Sequence, residues 1–82
     1  MTKQQNTVYQ GEIIESLPNT MFKVRLDSGR DILTVPAGRV RRGSLRLLPG
    51  VYVKVEVTPY DENRGRIIGR GDYKKERQVN ES

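Results

Sequence analysis

The chain has 82 residues, no cysteine and no histidine, and 15 Lys+Arg against 10 Asp+Glu, a formal charge of +5. That length fits one small domain with one hydrophobic cluster and little room for a deep pocket. The missing residue types exclude disulfides, thiolate zinc sites and every His-dependent catalytic arrangement.

At the N-terminus, MTKQQNTV is polar and lacks the apolar segment of a secretory signal. No apolar run is longer than three residues, so no transmembrane helix is expected, and the chain reads as soluble and intracellular. Residues 1–7 are expected to form a flexible tail. Val8–Leu17 reads as a first strand, with Gly11 a candidate bulge or bend. Pro18-Asn19-Thr20 is a short turn. It leads to a second strand in which Phe22, Val24 and Leu26 alternate with Met21, Lys23, Arg25 and Asp27. Period-two patterning of this kind puts one face in a core and the other in water.

Ser28-Gly29 suits a tight hairpin to a third strand over Ile32–Val35. The segment Pro36–Gly50 is long, basic and bracketed by prolines, with a short helical turn expected near Gly38–Arg42. Val51, Val53, Val55 and Val57 then alternate with Tyr52, Lys54, Glu56 and Thr58 as a fourth strand, favoured by β-branching. Pro59 ends it and opens a loop to Asn63. A fifth strand spans about Gly65–Arg70, centred on Ile67 and Ile68. Residues 71–82 are expected to form a second flexible tail, in which Tyr73–Arg77 could make a helical turn or two. The pattern predicts an all-β domain over 8–70: a five-stranded OB-fold barrel with a short helical turn between strands three and four. An SH3-like barrel is the structural rival.

Charge is unevenly placed. Residues 1–36 are neutral, whereas residues 37–60 carry five basic groups against Glu56 alone. Gly38-Arg39-Val40-Arg41-Arg42-Gly43-Ser44-Leu45-Arg46 has four arginines in eight residues and no acid. Arginine's planar fork meets phosphate bidentately and stacks on bases. Val40, Leu45 and Leu47 can anchor the segment while the arginines project, giving a phosphate-gripping loop; the bland reading is a solvated basic loop that closes the barrel. Arg64 and Arg66 share a strand face, as do Lys23 and Arg25, but spacing leaves open whether the two pairs meet one ligand. Few aromatics lie on strands two and three, so a base-stacking platform is not evident.

Catalysis finds no support. Glu12, Glu15, Asp27, Asp31 and Glu56 occupy outward or turn positions beside cations, where surface pairing is their expected role. Gly38–Ser44 has the glycine spacing of a phosphate loop without its lysine or a long following helix. Gly65, Gly69 and Gly71 do not have dinucleotide-loop spacing. Arg70-Gly71-Asp72 is a tripeptide frequent by chance.

The runs GEIIESLPNTMFKVRLDSGRDI, GRVRRGSLRLLPG and VEVTPYDENRGRII resemble bacterial and plastid translation initiation factor one, in unbroken order over about residues 8–68. The resemblance implies an OB-fold monomer with no cofactor. Such a protein binds the small ribosomal subunit at the aminoacyl-tRNA (decoding) site through rRNA, blocks premature tRNA entry and assists the other initiation factors. By the same resemblance, Asn19, Thr20 and Lys23 approach the rRNA minor groove. Arg41, Arg42 and Arg46 contact rRNA from the basic segment, where the charge pattern adds Arg39 as a further RNA-binding candidate, and Arg64 and Arg66 contact it from the start of strand five. The chain departs from the family pattern at Ser44, where a tyrosine is usual, and at Ala37, where a serine is usual. The implied location is the cytoplasm, or the stroma for a plastid protein, with no membrane partner. Two rival functions remain open: a general RNA chaperone, and an adaptor whose arginines meet an acidic protein.

Overall fold

The computed structural model describes residues 6–43 and 45–72. Five strands, β1 (Thr7–Leu17), β2 (Met21–Leu26), β3 (Asp31–Pro36), β4 (Tyr52–Val57) and β5 (Arg64–Arg70), and one helix, α1 (Gly38–Arg42), follow the expected order. The strands close into a barrel in the order β1-β2-β3-β5-β4. With α1 between β3 and β4, this is the OB arrangement rather than the SH3-like one.

The period-two pattern explains the interior. Ile13, Val24, Leu26, Ile32, Val53, Val55, Val57 and Ile67 are buried, as is Val40 from α1. Their neighbours along each strand face outward, because successive side chains leave opposite sides of a strand. Among the described residues Thr34 is the buried polar side chain, and its Oγ1 donates a 2.9 Å hydrogen bond to the Phe22 carbonyl. This bond satisfies a hydroxyl that would otherwise be costly to bury.

β1 closes the barrel because it pairs on both sides. Thr7–Glu12 lie against β4 and Gly11–Leu17 against β2. Gly11 is not the bulge expected there: the irregularity in the β1–β2 register falls between Ile13 and Glu15. Gly11 is instead a point of close approach, since a Cβ on it would lie 2.4 Å from the Arg25 carbonyl oxygen and 2.8 Å from the Leu26 Cα. β4 begins at Tyr52 rather than Val51, because the Val51 N–H closes a turn onto the Leu48 carbonyl at 3.0 Å, around Gly50, whose φ is +97°.

The tails expected at 1–7 and 71–82 lie outside the described residues except for Asn6, Thr7, Gly71 and Asp72, and the helical turn expected at 73–77 lies outside them entirely. Those four residues are joined to the barrel. Thr7 opens β1, Asn6 donates to Glu56 at 3.0 Å, Gly71 N–H donates to the Tyr52 carbonyl at 2.9 Å, and Asp72 lies 3.8 Å from Lys54. Among the described residues no helix is long and apolar enough to cross a membrane.

Candidate nucleic-acid interface

β3 and β5 run parallel, with Leu33 opposite Arg64, Val35 opposite Arg66 and Pro36 opposite Ile67. The Ala37 N–H continues this contact by donating to the Ile67 carbonyl at 2.9 Å, and the Ala37 carbonyl then accepts from Val40 and Arg41. α1 therefore starts where the β3–β5 pairing ends. It has no side-chain N-cap and no acid in its first turn. Burial of Val40, with Ala37, Leu45 and Leu47 packed against the core, holds a helix too short to be stable alone.

This anchoring turns the arginines outward. Arg39, Arg41 and Arg42 on α1 are exposed, as is Arg46 between the half-buried Leu45 and Leu47. The Arg42 guanidinium lies over Gly38, 3.4 Å from where a Cβ would stand. Arg39, Val40, Gly43, Leu45, Gly69 and Arg70 line an open depression of about 380 Å³. Arg70 thus joins the group, although it is 24 residues beyond Arg46 in the sequence. Spacing does not single it out; the strand order of the OB barrel, which carries the end of β5 to α1, is the signal that could have. Among the described residues, none of Arg39, Arg41, Arg42, Arg46 and Arg70 forms an ion pair.

A second basic group lies on the outer face of β2, β3 and β5. Lys23 is opposite Leu33, which is opposite Arg64, so the three form one row across the sheet. Lys23 and Arg64 line an open cleft of about 510 Å³ with Asp31, Asp61 and Asn63. Of the two pairs whose relation the spacing left open, the structure brings Lys23 and Arg64 together, while Arg66 lines a separate depression with Asn6 and Glu56. Each is already paired: Lys23 with Glu15 at 3.6 Å, Arg64 with Asp61 at 3.8 Å and Arg66 with Glu56 at 3.1 Å. Arg25 is held most firmly, giving Asp31 two hydrogen bonds of 2.8 and 3.1 Å. Exposed pairs are weak, about 0–1 kcal/mol, so Lys23, Arg64 and Arg66 can exchange a carboxylate for a phosphate at small cost.

Two carboxylates record this pairing in their acidity. The Arg25 hydrogen bonds hold Asp31 below the usual carboxylate range. Hydrogen bonds from Asn6 and Arg66 do the same for Glu56. A carboxylate whose folded pKa is depressed adds stability above its unfolded pKa and loses it as pH falls through the folded one. The melting temperature is therefore expected to decline as pH drops below about 4. In Asp31→Asn/Glu56→Gln that decline should be shallower, as thermal melts across pH 2–6 would show.

The hairpin tip carries the third expected group. Asn19 and Thr20 are exposed, with φ of +64° and +58°. Asparagine tolerates the left-handed region, whereas β-branched threonine is strained there by roughly 1–3 kcal/mol. Thr20→Gly is expected to raise the melting temperature by roughly 4–8 °C for each kcal/mol of strain released. Glycine's extra unfolded-state entropy offsets about 0.5–1 kcal/mol of that release, so a melt clearly below the parent's would show that Thr20 stores none.

Residues 1–82 match the family described as Translation initiation factor 1A / IF-1. The chain belongs to the IF-1 family. It is 56% identical over 68 residues to chloroplastic translation initiation factor IF-1 of Asarum canadense and of Spinacia oleracea, in each case covering 83% of this chain and 88% of the relative. It also resembles the solution structure of the corresponding translation initiation factor from the Wolbachia endosymbiont strain TRS of Brugia malayi. That likeness has a TM-score of 0.70 and 32% identity, covering 92% of this chain and 88% of that one. As an IF-1 family protein the chain is a non-enzymatic, OB-fold initiation factor of protein biosynthesis, with the ribosome association that membership carries.

Proposed function

We propose that the chain binds the small ribosomal subunit at the aminoacyl-tRNA (decoding) site, blocks premature tRNA entry there and assists the other initiation factors. The observation that carries this reading is the cluster of arginines around α1 that find no carboxylate among the described residues, built onto a rigid barrel. Exposed guanidinium groups gathered without counter-charges are suited to a polyanion whose shape is fixed in advance. In this reading Arg39, Arg41, Arg42 and Arg46, with Arg70 beside them, grip rRNA phosphates and bases. Arg64, Arg66 and Lys23 make further contacts from the barrel face. The exposed Asn19-Thr20 tip meets an rRNA minor groove, which in A-form RNA is wide and shallow and presents 2′-hydroxyls and base edges to a polar turn. Among the described residues the five strands close on one another, which removes the open sheet edges used for self-pairing and favours a monomer. The matching compartment is one with bacterial-type ribosomes, a bacterial cytoplasm or a plastid stroma.

Filter binding in competition tests this reading. Small subunits should capture the labelled protein saturably, and tRNA bound at the decoding site should displace it. Equal capture by large subunits or unstructured RNA would instead favour a general RNA chaperone, and no capture by any RNA would favour a protein adaptor.

A further inference from the structure

The described tyrosines are not alike. Tyr9 lies beneath Arg30, with the guanidinium carbon 6.0 Å from the ring centre, and Tyr52 donates its hydroxyl to Asp27. Tyr60 stands in the loop between β4 and β5 with 81% of its surface exposed, and its side chain has no partner among the described residues. Single exposed apolar groups are ordinary. What distinguishes Tyr60 is the loop beneath it. Thr58 Oγ1 accepts from the N–H groups of Tyr60 and Asp61, at 3.2 and 3.3 Å, and Asp61 Oδ1 accepts from the Asn63 N–H at 3.2 Å. The Arg64 N–H closes the loop onto the Asp61 carbonyl at 3.4 Å. Pro59 fixes one further backbone torsion. The ring is thus presented on a preorganised backbone, so holding it in place for a ligand sacrifices little further entropy.

The loop's flanks say which ligand fits. Asp61, Asn63 and Arg64 line the cleft shared with Lys23 and Asp31. Cations there suit a phosphate, while an amide and carboxylates suit the polar edge of a base. An exposed aromatic beside such a cleft is the arrangement that single-stranded RNA uses for stacking.

We infer that Tyr60 stacks on an unpaired RNA base when the protein binds the small ribosomal subunit, adding a non-ionic contact to the arginine-based one. The inference rests on the ribosome-binding reading above. Tyr60→Ala should weaken binding to small subunits roughly tenfold, with an unchanged dependence on salt because stacking releases no counterions. The chain has no tryptophan, so Tyr60→Trp places a single indole at this position. That variant should bind like the parent, with its emission strongly quenched in the complex by base stacking. Parent-like affinity of Tyr60→Ala would overturn the inference. So would a Tyr60→Trp emission that stays unchanged or only shifts to the blue, the latter marking a protein contact. Failure of the parent itself to bind small subunits would overturn the ribosome-binding reading instead.

Discussion

Arg41→Ala and Arg46→Ala are each expected to lose roughly 1–3 kcal/mol of small-subunit affinity, about five- to 150-fold. Both side chains are exposed and free of ion pairs among the described residues, so truncation removes a ligand contact without leaving a partner unsatisfied. Thermal midpoints should stay near the parent value, since exposed substitutions away from caps and cores change stability by about 0.5 kcal/mol or less. The five arginines around α1, gripping phosphates, contribute about −3.5 to −4.5 to the log–log salt slope, and each one removed should flatten it by about 0.7–0.9. Arg25→Ala is the contrasting case. Its guanidinium is engaged by Asp31 through two hydrogen bonds, so its loss should leave the slope near the parent value. Titrations at several salt concentrations decide the matter. Parent-like slopes for Arg41→Ala and Arg46→Ala would remove the α1 segment from the interface.

Gly11→Ala is expected to destabilise the barrel by about 2–3 kcal/mol, the cost of forcing a group into a packed site without room. Gly11 is paired on both flanks, with Leu26 on β2 and Val53 on β4, so neither neighbour can retreat without opening a ladder. The added methyl would meet backbone atoms of Arg25 and Leu26 at 2.4–2.9 Å. Flexible side-chain ends can swing aside, but ladder carbonyls cannot. For a domain of this size the melting temperature should fall by roughly 10–20 °C. Gly69→Ala supplies the control, because no atom lies within 4 Å of its hypothetical Cβ. It should melt at or slightly above the parent temperature through a less flexible unfolded chain. Equal melting of both variants would mean that β1 adjusts at Gly11 after all.

Much of this architecture is legible in the residues. The Val53, Val55, Val57 alternation determines which side of β4 is buried, whatever strand lies beside it, because side chains change face at every residue. The same holds for Val24 and Leu26. Within the segment bracketed by Pro36 and Pro49-Gly50, the turn expected near Gly38–Arg42 is where α1 forms, and the LPNTMF and TPYD runs are enough to indicate the family. Gly11 departs from expectation because a glycine within a strand serves bulges and close approaches equally well. Only the neighbouring backbone distinguishes them.

Sequence alone therefore determined the strands, their inward faces and the basic character of residues 38–46, all of which depend on local periodicity and composition. Tertiary structure decided which cations keep a carboxylate among the described residues and which do not. It also set Arg70 beside α1 and Lys23 in a row with Arg64. Those outcomes come from barrel closure and the parallel β3–β5 pairing, which join positions tens of residues apart, and no spacing along the chain encodes such distances.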